Sequence, residues 1–426
     1  PAHEAACSGN VAVLRYLDER GIDPWCRTFE EGTLLHIACI NGQLQMTKYL
    51  VQTYPTMLHE VDNRKRRPTH HAAQSGNVAL VSYLVESGID PWCKTSEEET
   101  LLHIACINGQ LEMINYLVQN YPTILHEVNN RKTSSAHHAA ENGNVAVLSY
   151  LIDRGIDPWC RTSEEETLLH RACINGQLEV TKYLVETYPT MLHEVDNTKT
   201  TSAHNAAYSG NVAVLIYLIE RGIDTWCRTS DKNTLLHIAC INGQFEMTKY
   251  LVQTYPTMLH EVDNRNKTSA HHAAHIGNVA VLCYLIEHGI YTWSRSSEEE
   301  RFLHIACIKG QLEMTKYLVH AYPTMLHEVD NSKRTLAHHA ALSGNVAVLS
   351  YLVEHGIDPW SRSSEEETLL HIACIKGQLE MTKYLVHAYP TMLHVVDNSK
   401  RTPAHHAAYN GNVPVLRYLI DRGCYL

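Results

Sequence analysis

Any chemistry in this chain would have to come from its imidazoles and thiols, 29 histidines and 13 cysteines. His103 and Cys106 stand three residues apart, on neighbouring positions of one helical face. A thiol becomes a nucleophile when a base stands beside it. The same pair returns as His36 and Cys39, His170 and Cys173, His237 and Cys240, His304 and Cys307, and His371 and Cys374. An active site is normally single, so six copies of one pair argue for packing. A metal centre needs three or four converging ligands. Only His271 and His275, with His272 beside them, have ligand-like i, i+4 spacing, and no acidic or Cys partner is fixed nearby in the sequence. There is no H-E-x-x-H, no phosphate loop and no nucleophile elbow. The expectation is no catalytic residue, no metal and no cofactor.

The elements that hold these residues form a repeat. The stretch Thr100 to Met113 recurs at Thr33, Thr167, Thr234, Arg301 and Thr368, always 67 residues on, and a looser version such as Thr402 to Asn412 lies between copies. Counting both, the histidine falls at 3, 36, 70, 103, 137, 170, 204, 237, 271, 304, 338, 371 and 405, in steps of 33 and 34. A fixed period of this length means a solenoid. In the loose copy Pro68 opens a short helix, where its missing N–H costs nothing. His70, Ala72 and Ala73 lie on that helix, and Gly76-Asn77 ends it. Val78, Val81, Leu84 and Val85 predict a second, amphipathic helix, stopped by Gly88. Residues 89–99 then read as an extended finger. The tight copy predicts a helix over 101–108 and a second from Leu111 to Val118. That second helix ends at Tyr121-Pro122, where one extra residue enters.

Thr402, Pro403, His405, Ala407, Ala408 and Gly411, with Thr100, Leu102, His103, Ala105 and Gly109 of the tight copy, resemble the ankyrin signature T-P-L-H-x-A-A-x-x-G. The resemblance covers essentially the whole chain in thirteen copies. It implies an all-α repeat solenoid, with helix-turn-helix-finger units stacked into a curved superhelical rod. A single domain over 1–426 is expected, truncated within the array at both ends, because no polar capping repeat is visible. The implied function is a non-enzymatic scaffold, part of a larger protein, binding a protein or peptide on its concave face and fingers. The alternative is an elastic or spacer array.

Two sets of residues are candidates for recognition. The column after the Ala-Ala pair varies most: Cys7, Gln74, Glu141, Tyr208, His275, Leu342, Tyr409. The finger base alternates Trp25, His59, Trp92, His126, Trp159, His193, Trp226, His260, Trp293, His327, Trp360, His394, where the family usually has Asn. The loss of Asn puts finger-to-finger hydrogen bonding in doubt. These rings are expected to pack on each other as a Trp–His ladder, or, with Trp92, Trp159 and Trp226, to grip a peptide. The fingertips carry Glu31, Lys65, Glu98, Lys132, Glu165, Lys199, Lys232, Asn266, Glu299, Lys333, Glu366 and Lys400. Adjacent tips of opposite charge should attract weakly. A non-Gly residue there argues against a left-handed tip.

Composition bounds the rest. A net charge of −11 without a long basic run argues against nucleic acid. No apolar stretch approaches a membrane span, so no direct insertion is expected. The odd number of cysteines, without C-x-x-C, and six in the second-Ala position of the motif, read as buried thiols in the reducing cytoplasm. A monomer is expected.

Overall fold

A computed structural model describes residues 1–290 and 302–424. Trp293, Glu299 and Arg301 of the columns above, and Tyr425 and Leu426, lie outside the described residues. The chain divides into two compact units, Pro1–Thr225 and Trp226–Leu426. Each is all-α and is built from the same helix pair, with short 3-10 helices between. Among the described residues the only sheet-like pairing is the isolated bridges Val128–Ser134, Val195–Thr201 and Val329–Thr335.

The helix Leu101–Ile107 shows why the motif folds as it does. The Thr100 N–H donates to His103 Nδ1 at 3.2 Å, and the Thr100 hydroxyl lies 2.9 Å from the same nitrogen. An imidazole thus takes the place of the Glu of an ordinary capping box. Leu101, Leu102, Ala105 and Cys106 are buried, and the small residues let the next unit come close. The second helix, Leu111–Asn120, buries Met113, Ile114, Leu117 and Val118. It stops at Tyr121, as Pro122 requires. The residue that makes this unit 34 long enters a 3-10 helix, Pro122–His126, which buries Ile124 and Leu125; the sequence gives no direct sign of it.

Units are tied by side chains at the start of each second helix. In the loose copy Asn77 Oδ1 accepts the Leu80 N–H at 3.2 Å, while its Nδ2 donates to the Gly42 carbonyl of the preceding unit at 3.1 Å. In the tight copy Gln110 Nε2 reaches back to the Gln74 carbonyl at 3.3 Å. Gly76, at φ +74°, lies beneath that glutamine, whose Oε1 would be 2.3 Å from any Cβ there. Glycine is therefore needed for both backbone and space.

The finger expectations need two corrections. Eleven non-glycine tips, Glu31, Lys65, Glu98, Lys132, Glu165, Lys199, Lys232, Asn266, Lys333, Glu366 and Lys400, are left-handed, with φ from +54° to +63°. Nearby side chains hold them there. Asp62 Oδ1 accepts the N–H groups of Arg64 (2.9 Å) and Arg66 (2.8 Å), and Thr95 Oγ1 those of Glu97 and Glu99 (3.2 Å each). Finger-to-finger hydrogen bonding also survives the loss of Asn at the base, because it runs through backbone at the tips. Asn63 donates to the Glu30 carbonyl at 3.0 Å, Ser96 to Arg64 at 2.8 Å and Asn130 to Glu97 at 3.1 Å. Inter-finger ion pairs sit on the stems, Arg27 with Glu60, Lys94 with Glu127, Arg161 with Glu194 and Arg228 with Glu261, and in one case beside the tips, Arg66 with Glu30 at 3.0 Å.

Candidate protein-binding groove

Between the first helices and the fingers runs a line of concavities. Arg64, Arg66, Gln74, Thr95, Ser96, Glu97, Glu99, Ile104, Ile107 and Asn108 line one of about 400 Å³. In the second unit another, of about 350 Å³, is lined by Ile241, Asp263, Lys267, His271, His272, His275 and Ile276 among others. Their floor is a repeated hydrogen-bond network. His103 Nε2 donates to the Thr133 carbonyl of the next finger at 3.1 Å, and His36, His170, His237 and His371 do the same to Arg66, Thr200, Lys267 and Arg401 at 3.0–3.1 Å. With Nδ1 accepting from the motif Thr, both ring nitrogens are used and the imidazole is neutral. Burial pushes His36, His237 and His371 down to about 4 and His103 to about 3.

Against these rings stand the histidines that follow the motif on the loose helices. His71, His138, His272, His339 and His406 meet His36, His103, His237, His304 and His371 edge-on, with centroids 5.2–5.8 Å apart. Four face an aspartate nine residues earlier: His71–Asp62 and His272–Asp263 at 3.1 Å, His339–Asp330 at 3.3 Å and His406–Asp397 at 2.9 Å. His272 therefore has the acidic neighbour that the sequence did not reveal. Burial alone would raise the Asp397 carboxyl, but the Arg401 N–H, the His406 ring and the Arg401 guanidinium outweigh it and hold it at about 2. The signal was legible as an Asp and a His sharing the 67-residue period. The array departs from it twice. Asn129 stands in the aspartate position, and His138 turns to Glu141 at 3.0 Å. Asn205 replaces the second histidine.

The recognition residues fall in different places. Gln74 and His275 line concavities. Tyr208 and Tyr409 are exposed at the C-terminal ends of their helices, Tyr409 at 87 %; Leu342 is half-buried. Glu141 is engaged within the protein, with His138 and with Arg171, which also holds Glu166 at 3.1 Å. Arg171 stands where the other tight copies have Ile37, Ile104, Ile238, Ile305 and Ile372, and it makes the one charged cluster of this kind in the first unit. A single break in a copied column was its signal. The expected Trp–His ladder is replaced by Trp–Tyr pairs at the described tryptophans. Trp25, Trp92, Trp159, Trp226 and Trp360 pack edge-on against Tyr54, Tyr121, Tyr188, Tyr255 and Tyr389, at centroid distances of 6.1–6.4 Å. Those tyrosines end the second helices of the next unit, whereas His59, His126, His193, His327 and His394 are exposed. The six motif thiols are buried; burial pushes Cys39, Cys173, Cys240, Cys307 and Cys374 up to about 12, which disarms them as nucleophiles.

Helix pairs with a capped Thr-to-His turn, fingers and a groove coincide with family models. The model for ankyrin repeats (3 copies) matches residues 2–95 and 224–296. That for ankyrin repeats (many copies) matches 136–185, 194–252, 303–353 and 337–386, and a single ankyrin repeat matches 97–126 and 399–426. The chain belongs to the ankyrin-repeat family. Ankyrin repeats support protein–protein interaction in general. Among curated relatives, this array is 24% identical over 380 residues to alpha-latrocrustotoxin-Lt1a of Latrodectus tredecimguttatus, covering 83% of this chain and 26% of the toxin. It is 21% identical over 459 residues to the human transient receptor potential cation channel subfamily A member 1 (91% and 39%) and 29% identical over 199 residues to a Caenorhabditis elegans homolog of that channel (47% and 16%). The ankyrin array thus spans well under half the length of these relatives. No helix among the described residues is long and apolar enough to cross a membrane.

Proposed function

We propose that the ankyrin array, residues 1–426 acting as one domain of a larger protein, is a non-enzymatic, monomeric scaffold that captures a protein or peptide in its groove in the cytoplasm. The carrying observation is a division of labour. The copied residues are consumed by internal hydrogen bonds, as His103 and Asp62 are, while in the divergent column Gln74 and His275 line concavities and Tyr208 and Tyr409 are exposed. Aromatic residues dominate binding hot spots, and Tyr208 and Tyr409 are the anchors of this reading. The Tyr208→Ala/Tyr409→Ala protein should melt like the parent and lose the stoichiometric partner seen in a pull-down. An unchanged partner band would remove both residues from the site.

The elastic or spacer reading draws on one observation, the tip-to-tip backbone bonds that recur between described neighbouring fingers within each compact unit. Under it nothing stoichiometric would be captured, and the divergent column would be freely mutable.

A further inference from the structure

The first tight finger departs from its copies at two positions, and the two together change the character of the concavity beside it. The copies read Thr95-Ser96-Glu97-Glu98-Glu99 and Thr162-Ser163-Glu164-Glu165-Glu166; the first reads Thr28-Phe29-Glu30-Glu31-Gly32. In two of the copies the last glutamate is engaged within the protein: Glu166 holds Arg171, and Glu367, nearly buried, accepts from Ser363 at 3.2 Å. Gly32 leaves this edge without a carboxylate. The pocket here, of about 250 Å³, is lined by Phe29, Ile37 and Ile40 together with His36, Asp62 and His71.

Most of the floor is already committed. Asp62 is held by Arg66 at 2.7 Å and by His71 at 3.1 Å, and His36 donates to the Arg66 carbonyl. Beyond the buried His71 Nδ1, which has no hydrogen-bond partner, what remains on offer is apolar. Phe29 is fully exposed and Ile40 is 40 % exposed. Exposure belongs to the column, since Ser96, Ser163 and Ser364 are also exposed, but only here is the exposed side chain a large apolar one. The neighbouring fingertips carry opposite charge, with exposed Glu31 on one tip and exposed Lys65 on the next. At this volume the cavity is below the range of small-molecule sites and suits one side chain.

We propose that this pocket seats one large apolar side chain of an extended partner peptide, which carries a basic neighbour toward Glu31 and an acidic neighbour toward Lys65. This rests on the groove being a peptide-binding surface, and it names where the anchor goes and what flanks it.

The probe is acetyl-Lys-Phe-Glu amide, titrated into protein carrying ¹³C-labelled isoleucine methyl groups. The Ile37 and Ile40 signals should shift saturably, with a Kd on the order of 1 mM, and acetyl-Lys-Gly-Glu amide should leave them in place. Gly32→Glu installs the residue that four of the other five copies carry, and its backbone is not in the left-handed region, so it should fold and weaken binding about tenfold or more. Phe29→Ser, also the residue of the copies, should weaken it in the same direction. Shifts that persist in Gly32→Glu, or that the glycine peptide reproduces, overturn the pocket; so does the absence of any shift. These failures leave the groove reading standing, because Tyr208→Ala/Tyr409→Ala tests that separately. Concentration-dependent sedimentation that Phe29→Ser abolishes would assign the patch to a second copy of the chain and overturn the proposal as well.

Discussion

The basic and acidic fingers reach the same tip by different chemistry. Lys65 (φ +55°) and Glu98 (φ +62°) are equally left-handed, but Asp62 supports one and Thr95 the other. A hydroxyl has little left after accepting two N–H groups. A carboxylate has a second oxygen and a charge, and once buried both need partners. Asp62 finds Arg66 and His71, and the helix behind that finger carries a second histidine; the helix behind Thr95 carries Ile104 there. The 67-residue period is thus the footprint of alternating a carboxylate turn with a hydroxyl turn. Where His is absent at 205, the Thr198 hydroxyl at 2.8 Å joins the N–H groups of Thr198 and Thr200 on Asp196 Oδ1.

Acid should have the largest effect, and it should act on both finger types, because the motif imidazole belongs to both. In the fold His36, His70, His237, His338 and His371 sit at about 4, against roughly 6.5 in an unfolded chain. The unfolded chain binds these protons first. Stability is therefore complete above pH 6.5 and is lost as pH falls from there through 4. Thermal melts followed by circular dichroism at pH 7.5, 6 and 4.5 check this; a midpoint that does not move would contradict neutral, buried rings.

Asp62→Ala should destabilise by about 2–3 kcal/mol and Thr95→Ala by about 1 kcal/mol, because bonds to a charged acceptor are the stronger. Equal losses in urea melts would erase the distinction between the fingers. Sharper still is Asp62→Thr/His71→Ile, which converts a basic finger to the acidic pattern. Each single change should cost about 1–3 kcal/mol, and the double change less than their sum. The smallest effect should be a gain: Lys132→Gly and Glu98→Gly remove a left-handed side chain and should each add about 0.5–1 kcal/mol.

Helices, caps and the unit boundary were legible because glycine, proline and the Thr-to-His spacing act locally. Partners across units were not. The left-handed tips were misjudged because an intrinsic preference of about 1–2 kcal/mol yields to two hydrogen bonds from Asp62 or Thr95. The Trp–His ladder failed for a similar reason: equivalent sequence positions are not equivalent in space once Pro122 starts a 3-10 helix, and that turn brings Tyr121 under Trp92 while His126 faces water. Gln74 and His275, picked out by the divergence of their column, line concavities, but the column could not show that Glu141 is occupied by Arg171 and His138.

The buried motif thiols open a way to watch the array breathe. Cys39, Cys106, Cys173, Cys240, Cys307 and Cys374 occur once per double unit, each closed off from solvent. An alkylating reagent can reach such a sulfur only when its own stretch of chain opens, so the labelling rate at each cysteine reports the local opening free energy of that stretch. Peptide mass mapping of the six sites over time would turn the sequence of the array into a stability profile along its length, with no engineered probe.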